Sequence, residues 1–366
     1  MKTNGKHSRV EAEKPKKNKK MPVGKMILLD LAVIAVGLCA FAFVHLVLPR
    51  RQAAVPVILA PSPQPTVETT AVPAEQEAGE QTQTPAPEET ETLPEETPEP
   101  ARVYSGMWGE KFADKFTEGE VIRTENSYQS ENVNVSLERF EEDGVIYYVA
   151  DIYISDLKYL HSGFANGAYN GGFQMLGDMA HEAGAIVALS GDHYGGRYEG
   201  IVIRDGVLYR DTRFADVCVL LNDGTMVTLE NDELDLDDLK AAAPYQVWSF
   251  GPELLDEEGK AMTRFNSMVL PNNPRAAIGY VEPGHYYFVE VEGSRTGAWT
   301  GSRGMKMEEL SRLFESLGCA SAYNLDGGSS AGLAWMGELK SYPYGRSIPD
   351  MIYIVDDVPL EQTEGD

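Results

Sequence analysis

The chain has 366 residues and a formal charge of −26, from 31 Lys and Arg against 57 Asp and Glu. So acidic a composition argues against nucleic-acid binding, because a phosphate backbone needs a basic face. The 3 cysteines show no CxxC spacing, which argues against a zinc knuckle and a disulfide framework; a Cys218–Cys319 bridge is permitted but not implied.

Residues 1–25 are rich in Lys and Arg (KPKKNKK at Lys14–Lys20). Residues 26–48, MILLDLAVIAVGLCAFAFVHLVL, follow as an apolar run carrying one acid, Asp30. About 20 apolar residues cross a bilayer core, so this run is expected to be a transmembrane signal anchor. The basic flank places residues 1–25 in the cytoplasm and the rest outside, giving a single-pass protein of the cell membrane. Residues 49–101 contain a Pro-, Thr- and Glu-rich tract (Pro61–Pro100) with few apolar side chains. Such a tract cannot offset its chain entropy by burial, and it is expected to be a disordered, extended linker. The globular part is then residues 102–358, with an acidic tail at 359–366.

Within 102–358, Gly-containing turns mark four hairpins: Glu131–Ile154, Gly200–Arg210, Val217–Leu229 and Ala276–Gly293. Two stretches have helical periodicity. GFQMLGDMAHEAGA places Met175, Met179 and Ala183 on one stripe, and MKMEELSRLFESLG places Met307, Leu310, Phe314 and Leu317 on another; each is closed by a glycine. Each also leads into a short apolar run, AIVALS and ASAYNL. Helix-then-strand units among hairpins predict an α/β or α+β domain, a mixed β-sheet with helices packed on it.

Both apolar runs end in acids among glycines. After AIVALS come Asp192, His193, Tyr194 and Arg197; after ASAYNL comes Asp326, then Gly327, Gly328, Ser329 and Ser330. Ends of strands are where ligand crevices form, and glycine lets a backbone approach a ligand closely. Two strand ends presenting carboxylates is one way to build a paired-acid site, although Asp-Gly-Gly-Ser is also ordinary turn chemistry and His193 would equally suit a surface loop. Arg275, Arg295 and Arg303 cluster around the last hairpin. Guanidinium groups match phosphate oxygens in a bidentate way, while in so acidic a domain each could instead pair with a carboxylate. No GxSxG elbow, P-loop or HExxH pattern occurs.

In order along the chain stand NGGF (Asn170–Phe173), SGDHY (Ser190–Tyr194), FGP (Phe250–Pro252), PRAAIG (Pro274–Gly279), VEGSR (Val291–Arg295) and AYNLDGGSSAGL (Ala322–Leu333). This series resembles the phosphodiester glycosidase domain family across roughly Glu131–Val355. It differs from the usual pattern at Ala276, at SGDHY, and at Glu292 with the extra Ser294. The resemblance implies hydrolysis of a sugar-1-phosphodiester at the anomeric C–O bond, on a cell-surface or extracellular glycan, releasing sugar and a phosphomonoester. It implies Asp326 as the essential carboxylate, Asp192 or Glu292 as a second acid or a metal ligand, and His193 in reserve as an acid–base group. Arg275, Arg295, Asn324, Gly327, Gly328, Ser329, Ser330 and Arg197 would hold the substrate. No cofactor is called for, although the acidic strand ends would suit a divalent cation. Two alternatives remain: a non-catalytic binding or assembly module for phosphate-containing wall polysaccharide, and a hydrolase using Ser329 or Ser330 as nucleophile.

Overall fold

All four predicted hairpins form. Their strands are Val133–Glu142 with Val145–Ile154, Gly200–Arg204 with Val207–Thr212, Val217–Leu220 with Met226–Leu229, and Arg275–Glu282 with His285–Val291. The computed structural model describes residues 57–58, 104–293, 301–341 and 346–360, all within the compact unit Ala54–Asp366. The expected membrane helix, most of the linker, Arg295 and the last six residues lie outside the described set. Among the described residues no helix is long and apolar enough to cross a membrane. One short strand, Val57–Ile58, falls inside the stretch read as linker and pairs with Val207–Leu208.

The strands make three sheets. A seven-stranded sheet runs Ser321–Asn324, Arg275–Glu282, His285–Val291, Val145–Ile154, Val133–Glu142, Ser127–Gln129, Ile122–Arg123. A five-stranded sheet runs Glu338–Leu339, Leu333–Trp335, Val187–Ser190, Asp350–Ile354, Leu160–Phe164, and a six-stranded sheet holds Gly200–Arg204 beside Gln246–Trp248. Every ladder between these strands is antiparallel, so the α+β expectation holds and the parallel pairing implied by a mixed sheet does not occur. The reason is local: tight hairpins supply most connections, and parallel neighbours need longer crossovers.

One core joins the three sheets. Ile152, Ile278 and Phe288 come from the seven-stranded sheet, Leu189, Leu333 and Ile352 from the five-stranded, and Cys218 and Trp248 from the six-stranded. On the outer face of the seven-stranded sheet lies the helix Met307–Ser316, whose Met307, Leu310 and Phe314 pack on Ala277 and Val289. Its stripe is the predicted one. The helix Leu176–Ala183 differs: Met175 is its N-cap and is partly exposed, and the buried side chains are Leu176, Met179 and Ala180. Met179 and Ala183 stay on the packed side as expected, and Leu176 takes the place of Met175, which lies outside the helix as its N-cap. Cys218 and Cys319 are free, buried in different parts of the core.

Candidate active site

The strand Val187–Ser190 is central in its sheet and buried along its whole length. Its C-terminal end carries Gly191, Asp192 and His193 beside the segment Leu325–Ser330. Two bonds join the pieces, the Asp326 N–H donating to the Gly191 carbonyl at 2.9 Å and Ser190 Oγ donating to the Asp326 carbonyl at 3.3 Å, while the Leu325 N–H ties the segment to the Ala276 carbonyl at 2.8 Å. Gly327 is required by contact, since a Cβ there would strike the Pro274 carbonyl; Gly328 has φ 61°, a left-handed value glycine adopts without strain. The two strand ends singled out in the sequence therefore meet, although they belong to different sheets.

At the meeting point stand Asp326, His193 and Arg346. The Asp326 carboxylate lies 3.3 Å from His193 Nδ1 and 3.3 Å from Arg346 Nη2. Arg346 is held by three further bonds: its N–H donates to the Ser329 carbonyl at 2.7 Å, its Nε–H to Ser330 Oγ at 2.7 Å, and Nη2 reaches His193 Nε2 at 3.4 Å. An arginine donor at Nε2 makes that nitrogen the acceptor and leaves the proton on Nδ1, which is buried 3.3 Å from Asp326 without a hydrogen bond to it. His193 sits at φ 57°, unusual for a side-chain-bearing residue, and its N–H is pinned by Asp350 Oδ1 at 3.2 Å. Loss of hydration lowers the His193 pKa, with Arg346 acting in the same sense and Asp326 opposing it, so the ring is neutral at neutral pH. The Arg346 side chain is 51% exposed and that of Asp326 10%, so the cluster opens to solvent on one side.

Asp192 is placed otherwise. It is fully buried, and its carboxylate takes Arg204 Nη2 at 2.9 Å, the Ser249 N–H at 2.8 Å and the Tyr194 N–H at 3.1 Å. Arg204 also binds Asp350 at 3.1 Å. Burial alone would raise Asp192, but the Arg204 charge and the Ser249 N–H outweigh it and hold this carboxyl below the ordinary Asp range. For Asp350, burial dominates, the Asp192 charge adds to it, and the pKa is pushed up to about 8. The sealed group therefore holds one carboxylate, one guanidinium and one protonated acid at neutral pH. The role of second acid facing substrate does not fit Asp192, because its oxygens are committed inward.

The remaining candidates divide. Ser329 and Ser330 line the cluster through Arg346, as above. Arg197 donates to the Asp192 carbonyl at 3.1 Å, and its guanidinium stacks between the rings of Phe214 and Phe250. Arg275 is turned to the outer face of the seven-stranded sheet, where it donates to the carbonyls of Met305, Pro271 and Leu270. Burial lowers its pKa to about 10. Expected as a phosphate ligand, it is instead a brace, because strand parity sets it opposite Val291 on the helix-covered side. Asn324 has the same parity: its Nδ2 donates to the Gly251 carbonyl at 2.8 Å, away from Asp326. Glu292 is nearly buried at the end of its strand, on the face toward the five-stranded sheet. Among the described residues no group of three or more His, Cys, Asp or Glu is arranged to hold a metal ion.

Sequence reasoning missed Arg346, Arg204 and Asp350. None belongs to a motif, and each reaches the site through pairings far apart in the chain, such as Asp350 with Phe164.

Strand ends that present an acid, a neutral imidazole and an arginine beside a glycine pair define a hydrolase-like site. Residues 183–355 match the family model for phosphodiester glycosidase. A relative from Bacillus subtilis (strain 168), the SPbeta prophage-derived uncharacterized protein YomE, is 31% identical over 199 residues, covering 51% of this chain and 30% of the relative. The chain thus spans about a third of that relative's length. Among solved structures, zebrafish N-acetylglucosamine-1-phosphodiester alpha-N-acetylglucosaminidase, its catalytic domain auto-inhibited by pro-peptide, is similar with TM-score 0.49 and 22% identity, over 61% of this chain and 83% of that one. A hypothetical protein from Synechocystis is similar with TM-score 0.47 and 15% identity, over 62% of each chain.

Proposed function

We propose that this protein is a membrane-anchored, extracytoplasmic hydrolase that cleaves the anomeric C–O bond of a sugar-1-phosphodiester on a cell-surface or extracellular glycan. The match of residues 183–355 to the phosphodiester glycosidase family supports the reaction class. The observation that carries the reading is the Asp326 carboxylate set 3.3 Å from both a neutral histidine and a half-exposed arginine. As the C–O bond breaks, positive charge grows at the anomeric carbon and negative charge on the departing phosphate. Asp326 answers the first charge and Arg346 the second. His193, its Nε2 taken by Arg346, stands beside Asp326 as a positioning group, the attacking water gives its proton to Asp326, and the Gly327–Gly328 backbone lets the sugar phosphate lie close. The departing phosphomonoester has a second pKa near about 6, which makes it a good leaving group. The basic N-terminal flank, the apolar run and the Pro-rich linker support the anchored, exported arrangement.

The test is release of reducing sugar by the purified full-length protein from a panel of sugar-1-phosphodiesters, nucleotide sugars included. Release by the wild type that is lost in Asp326→Asn is the expected result. Saturable binding of one panel member without release would instead establish a binding module for phosphate-containing wall polysaccharide, and neither binding nor release would sink both readings.

A further inference from the structure

Phe173 is a large apolar side chain left 48% exposed, and its ring centroid lies 6.1 Å from that of His193 at an angle of 47°. A lone exposed apolar residue is ordinary on a protein surface, but this one is fixed beside the cluster. The Asn170 N–H donates to Tyr194 Oη at 3.0 Å, and Tyr194 follows His193 in the chain. Gln174 and Ile348 exchange backbone hydrogen bonds at 3.0 and 2.8 Å, and Ile348 comes just after Arg346. The loop Asn170–Phe173 is thus tied on one side to the segment that carries His193 and on the other to the segment that carries Arg346. Its backbone is demanding: Asn170 has φ 61°, and a Cβ at Gly171 would strike the Ala165 carbonyl. Conformations of this kind persist only where the surroundings fix them, and they gather at ligand sites. What is secured here is an apolar ring open to solvent near Asp326, whose carboxylate is 3.3 Å from the same imidazole.

We propose that Phe173 is the platform on which the sugar ring of the substrate lies, and that it makes the site select a pyranosyl phosphodiester over an acyclic polyol phosphodiester. The proposal rests on the glycosidase reading above. The face of an aromatic ring is electron-rich. A pyranose presents a rigid face of slightly positive C–H bonds that covers it, whereas an acyclic polyol turns hydroxyls in every direction and has no such face. The phosphate cannot discriminate in this way, because Arg346 meets the same group in both. The imidazole stands between the platform and Asp326, so carbon 1 of a stacked pyranose can face the carboxylate. The phosphate then lies against Arg346, whose Nη2 is 3.4 Å from His193 Nε2. Covering the open half of a phenyl ring is worth about a tenfold change in affinity.

Calorimetry on the full-length protein, run beside the sugar-release panel, tests this with glucose 1-phosphate, galactose 1-phosphate, N-acetylglucosamine 1-phosphate and glycerol 3-phosphate. The wild type should bind at least one hexose phosphate about 10-fold more tightly than glycerol 3-phosphate. Phe173→Ala should lose that preference while its affinity for glycerol 3-phosphate holds, and Phe173→Trp should keep it. On a released panel member, Phe173→Ala should raise KM about 10-fold and leave kcat within about 3-fold. Sugar release by the wild type with no hexose preference, or with a preference that persists in Phe173→Ala, overturns this proposal alone. A preference lost in Phe173→Ala without release from the wild type supports the platform and overturns the hydrolysis, and neither binding nor release overturns both. Should Phe173→Ala fail to fold, Phe173→Trp decides: its added fluorescence should shift with the preferred hexose phosphate and not with glycerol 3-phosphate, and no shift overturns the platform.

Discussion

Two clusters of acid and arginine are built around one short loop, and they do opposite things. Asp192, Arg204 and Asp350 are sealed, with Arg204 side-chain exposure of 2%; Asp326, His193 and Arg346 open outward, with Arg346 at 51%. The clusters share a neighbour, since Asp350 holds the His193 backbone and the His193 ring stands 3.3 Å from Asp326. Composition is nearly the same in both; depth differs. The inner ion pairs are shut away from solvent, with Arg204 Nε lacking a partner among the described residues, whereas the outer cluster keeps oxygens and N–H groups that a substrate can take. The inner cluster is therefore a foundation for the outer one.

Substitutions that separate stability from turnover test this contrast. The largest effect is expected for Asp326→Asn, with sugar release falling by about 1,000-fold or more while the thermal midpoint stays within a few degrees. Arg204→Met should do the reverse. It strands the Asp192 carboxylate without its cation, and denaturant unfolding should show a loss of about 3–5 kcal/mol. A variant as stable as wild type would break the division. Asp350→Asn should act through pH. An ordinary Asp has a pKa near about 3.9, and here the folded value is about 8. Between those values the folded state holds the proton more tightly, so this group's stabilisation is full below the lower value and lost as pH rises through the upper one. Unfolding curves from pH 5 to 9 should therefore show a smaller fall in stability with rising pH for Asp350→Asn than for wild type. The smallest effect on stability is expected for Arg346→Ala, under about 1 kcal/mol because its ion pair is half exposed. In the same variant KM for the phosphodiester should rise, and the salt dependence of KM should weaken.

Much of the fold could be read from local sequence. The hairpin turns Asp143–Gly144, Asp205–Gly206 and Asp223–Gly224 carry their own instructions, and Gly184 and Gly318 end the two main helices in left-handed conformations. Asp326 and His193 were legible because helix, strand and glycine-flanked acid occur twice. What failed was direction and distance. Arg275 lies in a motif, but the two-residue alternation of its strand turns it to the far side of the sheet. Asp192 looked like Asp326 until its depth was known, and depth depends on Arg204, which a local reading cannot place beside it. Arg346 follows Asp326 by twenty residues with no periodic signal between them.

The position of Asp350–Ile354 has a consequence for how the molecule comes into being. This strand inserts between Val187–Ser190 and Leu160–Phe164, with Ile354 opposite both Val187 and Leu160. Until the later segment pairs, both neighbours have an empty lane between them and expose their edges. The same segment brings Asp350, which anchors the His193 loop, just after Arg346. Assembly of the sheet and completion of the chemical site are thus one event, since a chain lacking the segment from Asp350 would have unpaired strands and an unanchored His193 loop.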